Sequence, residues 1–323
     1  MAHKALSQHS KYLAAMVLGG VGDALGYCSG RWEFTFEGAQ IHKEVEELGV
    51  EKPAFCVSDD TVMHMATAKA LVTKSSKDRE NEFDNLAHEY IRCMQDMSGR
   101  APGGTTVAAC NNLDIRRNDA PQEKLFRSPF NKRAGGCGGA MRAMCIGLRY
   151  PGDSELDDLI AVSIESGRVT HHHPVGYLGA LVSALFTSYA LQGKPIKSWG
   201  AELVDTVLPK AKVYITSTGV EVEDNLKHWS DFEDKWRDYL TGRQITDGSS
   251  DPVYPEKFGV EERDEFYKSL SYSGWGGASG HDSTIIAYDA FLGCRKVGMS
   301  YAAGTKFGNL LDRGVLSKVA KSM

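Results

Sequence analysis

The seven cysteines (Cys28, Cys56, Cys93, Cys110, Cys137, Cys145 and Cys294) include no Cys-x-x-Cys pair. An odd, unpaired set excludes a disulfide framework and a cysteine-built zinc site, and it places the chain in a reducing, cytoplasmic setting. Basic residues are not in excess: the formal charge is −5 over 323 residues. Without a broad basic face, neither nucleic acid nor an anionic membrane is expected as main partner. Gly-x-Ser-x-Gly elbows, P-loops and Gly-x-Gly-x-x-Gly turns after a strand are absent as well, so serine hydrolase and dinucleotide-binding schemes have no support. Runs that alternate apolar and polar residues are nearly missing, as are repeats and linkers, which leaves little room for a sheet or a second domain. The first apolar run, "YLAAMVLGGVGDALGY", is broken by Asp23 and lacks a cleavage pattern; it reads as too short and too polar to span a bilayer.

What is present is helical. Segments such as "TVMHMATAKALVTK", "NEFDNLAHEYIRCMQDM", "LDDLIAVSIESG" and "GYLGALVSALFTSYALQ" repeat apolar residues at three- and four-residue spacing, the period of helices with one face on a core. Composition is ordinarily globular at 42% hydrophobic and 24% charged, so a single all-α domain over 1–294 is expected. The remainder, 295–323, carries a net charge of +5 and has the character of a divergent basic tail. Between the helices lie dense glycine stretches, "APGGTT", "AGGCGGA" and "YSGWGGASGH", which allow backbone N–H groups to approach a ligand.

Two acidic clusters follow a serine at a helix start. Ser58, Asp59 and Asp60 open one helix; Ser154, with Glu155, Asp157 and Asp158, opens another. Both fit an N-cap with acids on the positive end of the helix dipole. The first set also offers the hard oxygen donors that Mg²⁺ prefers. Three residues of one loop cannot complete an octahedral shell, so further donors must come from elsewhere. Asp23 and Glu33 in "GDALGYCSGRWEF" read either as an acidic group near a bound ion or as packing and solvation. The run His171, His172, His173 reads as capping and hydrogen bonding, since adjacent side chains diverge and do not share one metal easily.

Taken in order, "GDALGY", "WEF", "VSDDTVMH", "GRAPGG", "GGCGGAMRAMCIGLR", "ESGRVTHHHPVGYLGALVSALF", "HWSDFEDKW" and "SYSGWGGASGHD" resemble the ADP-ribosylglycohydrolase family over about residues 10–292, and most nearly its ADP-ribosylarginine hydrolase branch. The resemblance implies an orthogonally packed all-α domain with a Mg²⁺ centre, usually of two ions. It implies hydrolysis of the N-glycosidic bond between ADP-ribose and arginine on mono-ADP-ribosylated proteins by a monomer, releasing ADP-ribose. By position, Ser58, Asp59 and Asp60 match the first metal-ligand group, and Glu33 matches an acid beside the metals. Asp59, Asp60 and Glu33 are then the catalytic set. Gly135, Gly136, Cys137, Gly138, Gly139, Ala140, Met141 and Arg142 match the diphosphate and ribose cradle, His171 matches the cleft lining, and Tyr272, Gly274 and Trp275 match the adenosine border. Carboxylates near the anomeric carbon suit an oxocarbenium-like transition state or the activation of water.

The family's second ligand group is Gly-Asp-x-Asp-Ser/Thr near the C-terminus, and no Asp-x-Asp occurs in this sequence. Asp282 in "GHDSTIIAYDA" is the substitute donor that the chain offers. Two expectations follow: an active Mg²⁺-dependent hydrolase, or a truncated, catalytically silent relative that binds ADP-ribose or a protein partner.

Overall fold

The computed structural model describes residues 7–35, 37–48, 56–73, 79–119 and 124–296. Helix starts are set by side chains that satisfy the first N–H groups. The Ser7 hydroxyl accepts from Ser10 N at the head of α1 (Gln8–Tyr27), and that of Ser58 accepts from Asp60 N at the head of α3 (Asp59–Val72). His173 caps α8 (Pro174–Gln192) through Val175 N, with Pro174 at the first helical position, where a missing N–H costs nothing. The helix ends at Gly193, whose φ of 72° is the left-handed conformation that glycine adopts freely.

The remaining main helices are α2 (Gly38–Leu48), α4 (Arg79–Cys93), α5 (Gly104–Asp119), α6 (Met144–Arg149), α7 (Leu156–Arg168), α9 (Trp199–Glu202), α10 (Leu208–Thr218), α11 (Val222–Lys227), α12 (Ser230–Arg243), α13 (Val260–Leu270) and α14 (Gly280–Lys296). Among the described residues there is no strand, only an isolated antiparallel bridge between Gly136 and Ser279. The fold is all-α, as its sequence period requires. Helix α14 passes the boundary expected at 294; residues 297–323 lie outside the described residues.

The apolar helix α8 is the centre of the core and packs on α6, α7 and α14. Glycine makes that packing close. A Cβ on Gly147 would lie 2.0 Å from Ala184 O, and one on Gly280 would lie 2.0 Å from Val175 O. Backbone cannot yield at such distances, so these glycines bring main chains together rather than admit a ligand.

One expectation is corrected at α1. By length and composition Gln8–Gly30 is long and apolar enough to cross a membrane, as is the largely buried core helix α8. A single Asp23 does not offset the surrounding Leu, Val and Ala. Leu13, Val17, Leu18 and Val21 are exposed on α1, while Asp23 is turned inward and tied to the start of α3.

A buried ion pair joins the C-terminal helices. Asp289 accepts from Arg243 Nε at 2.7 Å and Nη2 at 3.1 Å, from Tyr239 OH at 2.8 Å and from Tyr267 OH at 3.0 Å. The Arg243 guanidinium is boxed by the rings of Tyr254, Phe258 and Phe266 at 4.3, 4.7 and 4.4 Å. Asp289→Ala would strand that cation and two hydroxyls, and a loss of about 3–5 kcal/mol is expected in denaturant unfolding. A loss below about 1 kcal/mol would mean that water reaches the pair.

Candidate functional site

Helix α3 begins where two buried acids meet a third. Ser58 holds extended backbone (φ −80°, ψ −169°), and its Oγ accepts from Asp60 N at 3.1 Å. From α1, Asp23 Oδ2 accepts from Ser58 N at 2.9 Å, Thr61 N at 3.3 Å and Thr61 Oγ1 at 2.5 Å. The cap is therefore double: one serine hydroxyl and one carboxylate brought in from another helix. Asp23, Ser58, Asp59 and Asp60 are 2, 5, 5 and 8% exposed.

The second Ser-acid cluster supplies the contrast. At the head of α7, the Asp157 and Asp158 side chains are 87 and 46% exposed and face Lys210 at 3.4 Å and Arg79 at 2.7 Å. That arrangement is an ordinary solvated helix start. Burying several carboxylates is unfavourable unless cations compensate, so the residue 58–60 cluster does more than cap a helix. Burial chiefly, with some help from Asp23, pushes Asp59 up to about 6; Arg100, which donates to Val57 O, acts in the opposite direction. Asp23 Oδ1 is buried with no hydrogen-bond partner among the described residues. Such a set of buried hard oxygens fits a divalent cation of the Mg²⁺ class, which Ser58, Asp59 and Asp60 would hold.

Other expected residues converge on this point to different degrees. Glu33 lies in the loop after α1; its charge and those of Asp59 and Asp23 all help burial to raise the Tyr27 hydroxyl. Phe34, next in the chain, meets Trp275 at a ring separation of 6.2 Å, so the Glu33 loop touches the 272–279 loop. Asp282 is fully buried, and its oxygens accept from Gly277 N at 3.0 Å and Ser279 N at 2.7 Å. Burial raises it to about 6, against those same hydrogen bonds. The Cys137 thiol, raised far above its ordinary range by burial, feels Asp60, Asp282 and Asp59 in turn. Both acidic regions thus border one cysteine that stays protonated. Asp282 nevertheless already serves as the brace of its own loop.

The glycine loop is shared between surface and interior. Gly135, Gly136 and Cys137 are half-buried, whereas Gly138, Gly139, Ala140, Met141 and Arg142 are buried. Cys137 N donates to Ala278 O and Gly280 N to Gly135 O, both at 3.0 Å, which fastens this loop to the 272–280 loop. A Cβ on Gly138 would lie 2.6 Å from His171 Cε1. Here glycine admits an imidazole.

At the far end of the 135–142 stretch the Arg142 side chain points into the core. It is 0% exposed, covers the Tyr90 ring at 4.0 Å and donates from Nη2 to Ser166 O at 2.6 Å. His171 is buried as well, with Nδ1 2.8 Å from Thr170 Oγ1, and burial with Arg142 nearby lowers it to about 3. Tyr272 is exposed and donates to Asp231 O at 2.7 Å; Gly274 turns the loop at φ 73°.

Sequence reasoning weighed Asp23 without selecting it and passed over Tyr27, Thr61 and Arg100. A usable signal existed for Asp23 alone: an acid within an apolar helix is usually buried with partners.

The family model described as ADP-ribosylglycohydrolase matches residues 4–307. Over 304 residues the chain is 44% identical to the ADP-ribosylhydrolase ARH1 of Dictyostelium discoideum, covering 86% of this chain and 77% of that protein. A putative ADP-ribosyl glycohydrolase of Acanthamoeba polyphaga mimivirus is 28% identical over 294 residues, covering 84% of this chain and 55% of the viral protein. The ADP-ribosylhydrolase ARH3 of Bos taurus is 32% identical over 142 residues, 44% of this chain and 37% of the bovine one.

Proposed function

The chain belongs to the ADP-ribosylglycohydrolase family, and we propose that it hydrolyses the N-glycosidic bond of ADP-ribosyl-arginine on proteins with Mg²⁺ as cofactor, restoring arginine and releasing ADP-ribose. The observation that carries the reading is the burial of Asp23, Ser58, Asp59 and Asp60 at one helix start, in contrast to the solvated acids that open α7. The name of the Dictyostelium relative supports the ADP-ribosyl substrate. The guanidinium leaving group and the metal rest on the resemblance and on donor chemistry.

Asp59 and Asp60 would face the anomeric carbon, where negative charge stabilises an oxocarbenium-like transition state. Asp59 or Asp60 would take a proton from the attacking water. Asp23 holds the turn carrying both acids through its three hydrogen bonds. When bound, Mg²⁺ supplies orientation of the ribose diol and a more acidic water. The half-buried N–H groups of Gly135 and Gly136 remain the candidates for the diphosphate, and Trp275 and Tyr272 for the adenosine border. The free thiols among the described cysteines suit a reducing cytoplasm, in which we place the protein as a monomer.

The test is ADP-ribose release from ADP-ribosyl-arginine by the purified chain with Mg²⁺. Asp60→Ala is expected to lower the rate about 10²–10⁴-fold, and EDTA to abolish it. Release unchanged by Asp60→Ala would remove the site from the reaction.

One observation favours a second reading. The sequence has no Asp-x-Asp, and both Asp282 oxygens are engaged by backbone amides. A silent ADP-ribose binder would retain the ligand in calorimetry while releasing no product.

A further inference from the structure

Three donors that sequence spacing does not connect meet where α8 and α12 begin. His173 is the cap of α8, His228 ends α11, and Asp231 lies in the first turn of α12. One ligand atom from each lies within 4.8 Å of the others. The two imidazole rings are 5.0 Å apart, and Phe130 packs beside both, at 5.5 Å from His173 and 5.6 Å from His228.

The protons of this cluster can be placed. His228 Nδ1 lies 2.8 Å from Asp231 Oδ2; an ionised carboxylate only accepts, so Nδ1 carries the proton. That leaves a lone pair on His228 Nε2, which is buried and has no hydrogen-bond partner among the described residues. That carboxylate lies across the ring from Nε2, so a cation on Nε2 takes Asp231 as a ligand only after the carboxylate leaves Nδ1. A purely structural role explains the bond from His228 to Asp231. It does not explain a buried, unsatisfied nitrogen beside a second imidazole.

We propose that His173, His228 and Asp231 form a binding site for a zinc-class divalent cation. Two imidazoles and one carboxylate are borderline donors that favour Zn²⁺ or Co²⁺ over Mg²⁺. Three protein donors with a water in the fourth position suffice for a tetrahedral ion. Bonds of roughly 2.0–2.1 Å put tetrahedral ligands about 3.3 Å apart, so the donors must close up. His228 and Asp231 stand at the solvent edge, with side chains 24 and 42% exposed, and can turn to do so. Solvent access at Asp231 is also the way in.

Two hydrogen bonds are given up on binding, that from His228 Nδ1 to Asp231 and the cap at the head of α8. His173 Nδ1 accepts from Val175 N at 3.2 Å, which puts the ring proton on Nε2. A cation on Nε2 moves that proton to Nδ1 and breaks the cap. The ring stays neutral and no proton is released from it. A lost cap costs about 1 kcal/mol, small beside the order of 10 kcal/mol gained in apparent free energy at structural zinc sites.

This site does not depend on the hydrolase reading, and its test avoids activity. The full chain is titrated with CoCl₂ and, separately, with ZnCl₂ in excess MgCl₂, which occupies hard oxygen sites. We expect one equivalent of Co²⁺ to develop the visible absorption of tetrahedral coordination, and Zn²⁺ to displace it. His228→Ala, at the edge of the fold, should abolish the spectrum with the circular dichroism unchanged. Asp231→Asn replaces a charged ligand and should weaken affinity by more than the roughly 10-fold that loss of an outer-shell partner costs. In an amide spectrum, Val175 N–H should shift on Zn²⁺ addition in wild type and stay in place in His228→Ala. The proposal is overturned by the absence of a tetrahedral spectrum in wild type, by a spectrum that survives His228→Ala, or by one that disappears only with Cys56→Ser.

Discussion

Acidification from pH 6.5 towards pH 4 is expected to unfold this protein steeply. His64, His171, His172, His173 and His281 are buried and depressed from 6.5 to about 4, 3, 3, 4 and 4, in each case mainly by burial. Several use the nitrogen that would be protonated. His64 Nε2 accepts from Cys145 N at 3.0 Å, and His172 Nε2 accepts from Arg168 Nε at 3.2 Å and Asn225 Nδ2 at 3.1 Å. Because the folded values lie below the unfolded value, their stabilisation is fully present above pH 6.5 and is lost as the pH falls towards 4, where the unfolded chain binds protons that the folded chain refuses.

Two groups oppose this trend. Asp59 and Asp282 are raised from 3.8 to about 6, so near pH 5 the folded chain holds protons on them that the unfolded chain releases. Five histidines against two carboxylates leave a net uptake of about three protons on unfolding near pH 5, or roughly 4 kcal/mol per pH unit. Since domains are typically stable by about 5–15 kcal/mol, one or two pH units suffice. The check is urea unfolding followed by circular dichroism at pH 7, 6 and 5. Stability that stays level over this range would show that the histidines titrate in the folded chain.

How much of this was legible follows from which distances a sequence encodes. Helical period and caps are local, so the all-α class, Ser58 as a cap and Pro174 at a helix start could all be read from neighbouring letters. The difference between Asp59 and Asp157 could not. Both follow a serine at a helix head, and only the packing of α1 against α3, through Asp23, buries one and leaves the other in water. Glycine was ambiguous for the same reason: a gap in side chain serves a ligand or another helix equally, and at Gly147, Gly280 and Gly138 the neighbours are Ala184, Val175 and His171. Histidine at 171–173 gave no metal signal because its partners, His228 and Asp231, lie more than fifty residues on. Asp23 makes the first run read as more polar than α1 is, since one inward-turned acid removes little from the face opposite.

Asp59→Asn is expected to move stability and activity in opposite directions. The amide keeps the shape of a side chain only 5% exposed and removes a charge that the interior disfavours. With the folded value at about 6 against 3.8 unfolded, the ionised form is penalised at neutral pH, and the penalty disappears once both states are protonated below about pH 4. In EDTA at pH 7.5 the variant should therefore gain about 1–3 kcal/mol and melt a few degrees higher, with no gain at pH 4. Mg²⁺ should stabilise wild type and leave the variant nearly unmoved, because ligand binding favours only the folded chain that holds it. ADP-ribose release should fall about 10²–10⁴-fold. Loss of activity without a gain in stability would mean that Arg100 already balances the acid, and retained activity would assign proton transfer to Asp60 or Glu33. The pairing of the two signs matters because a purely structural cap loses stability when it is altered, whereas a site held against its own charge becomes more stable as it stops working.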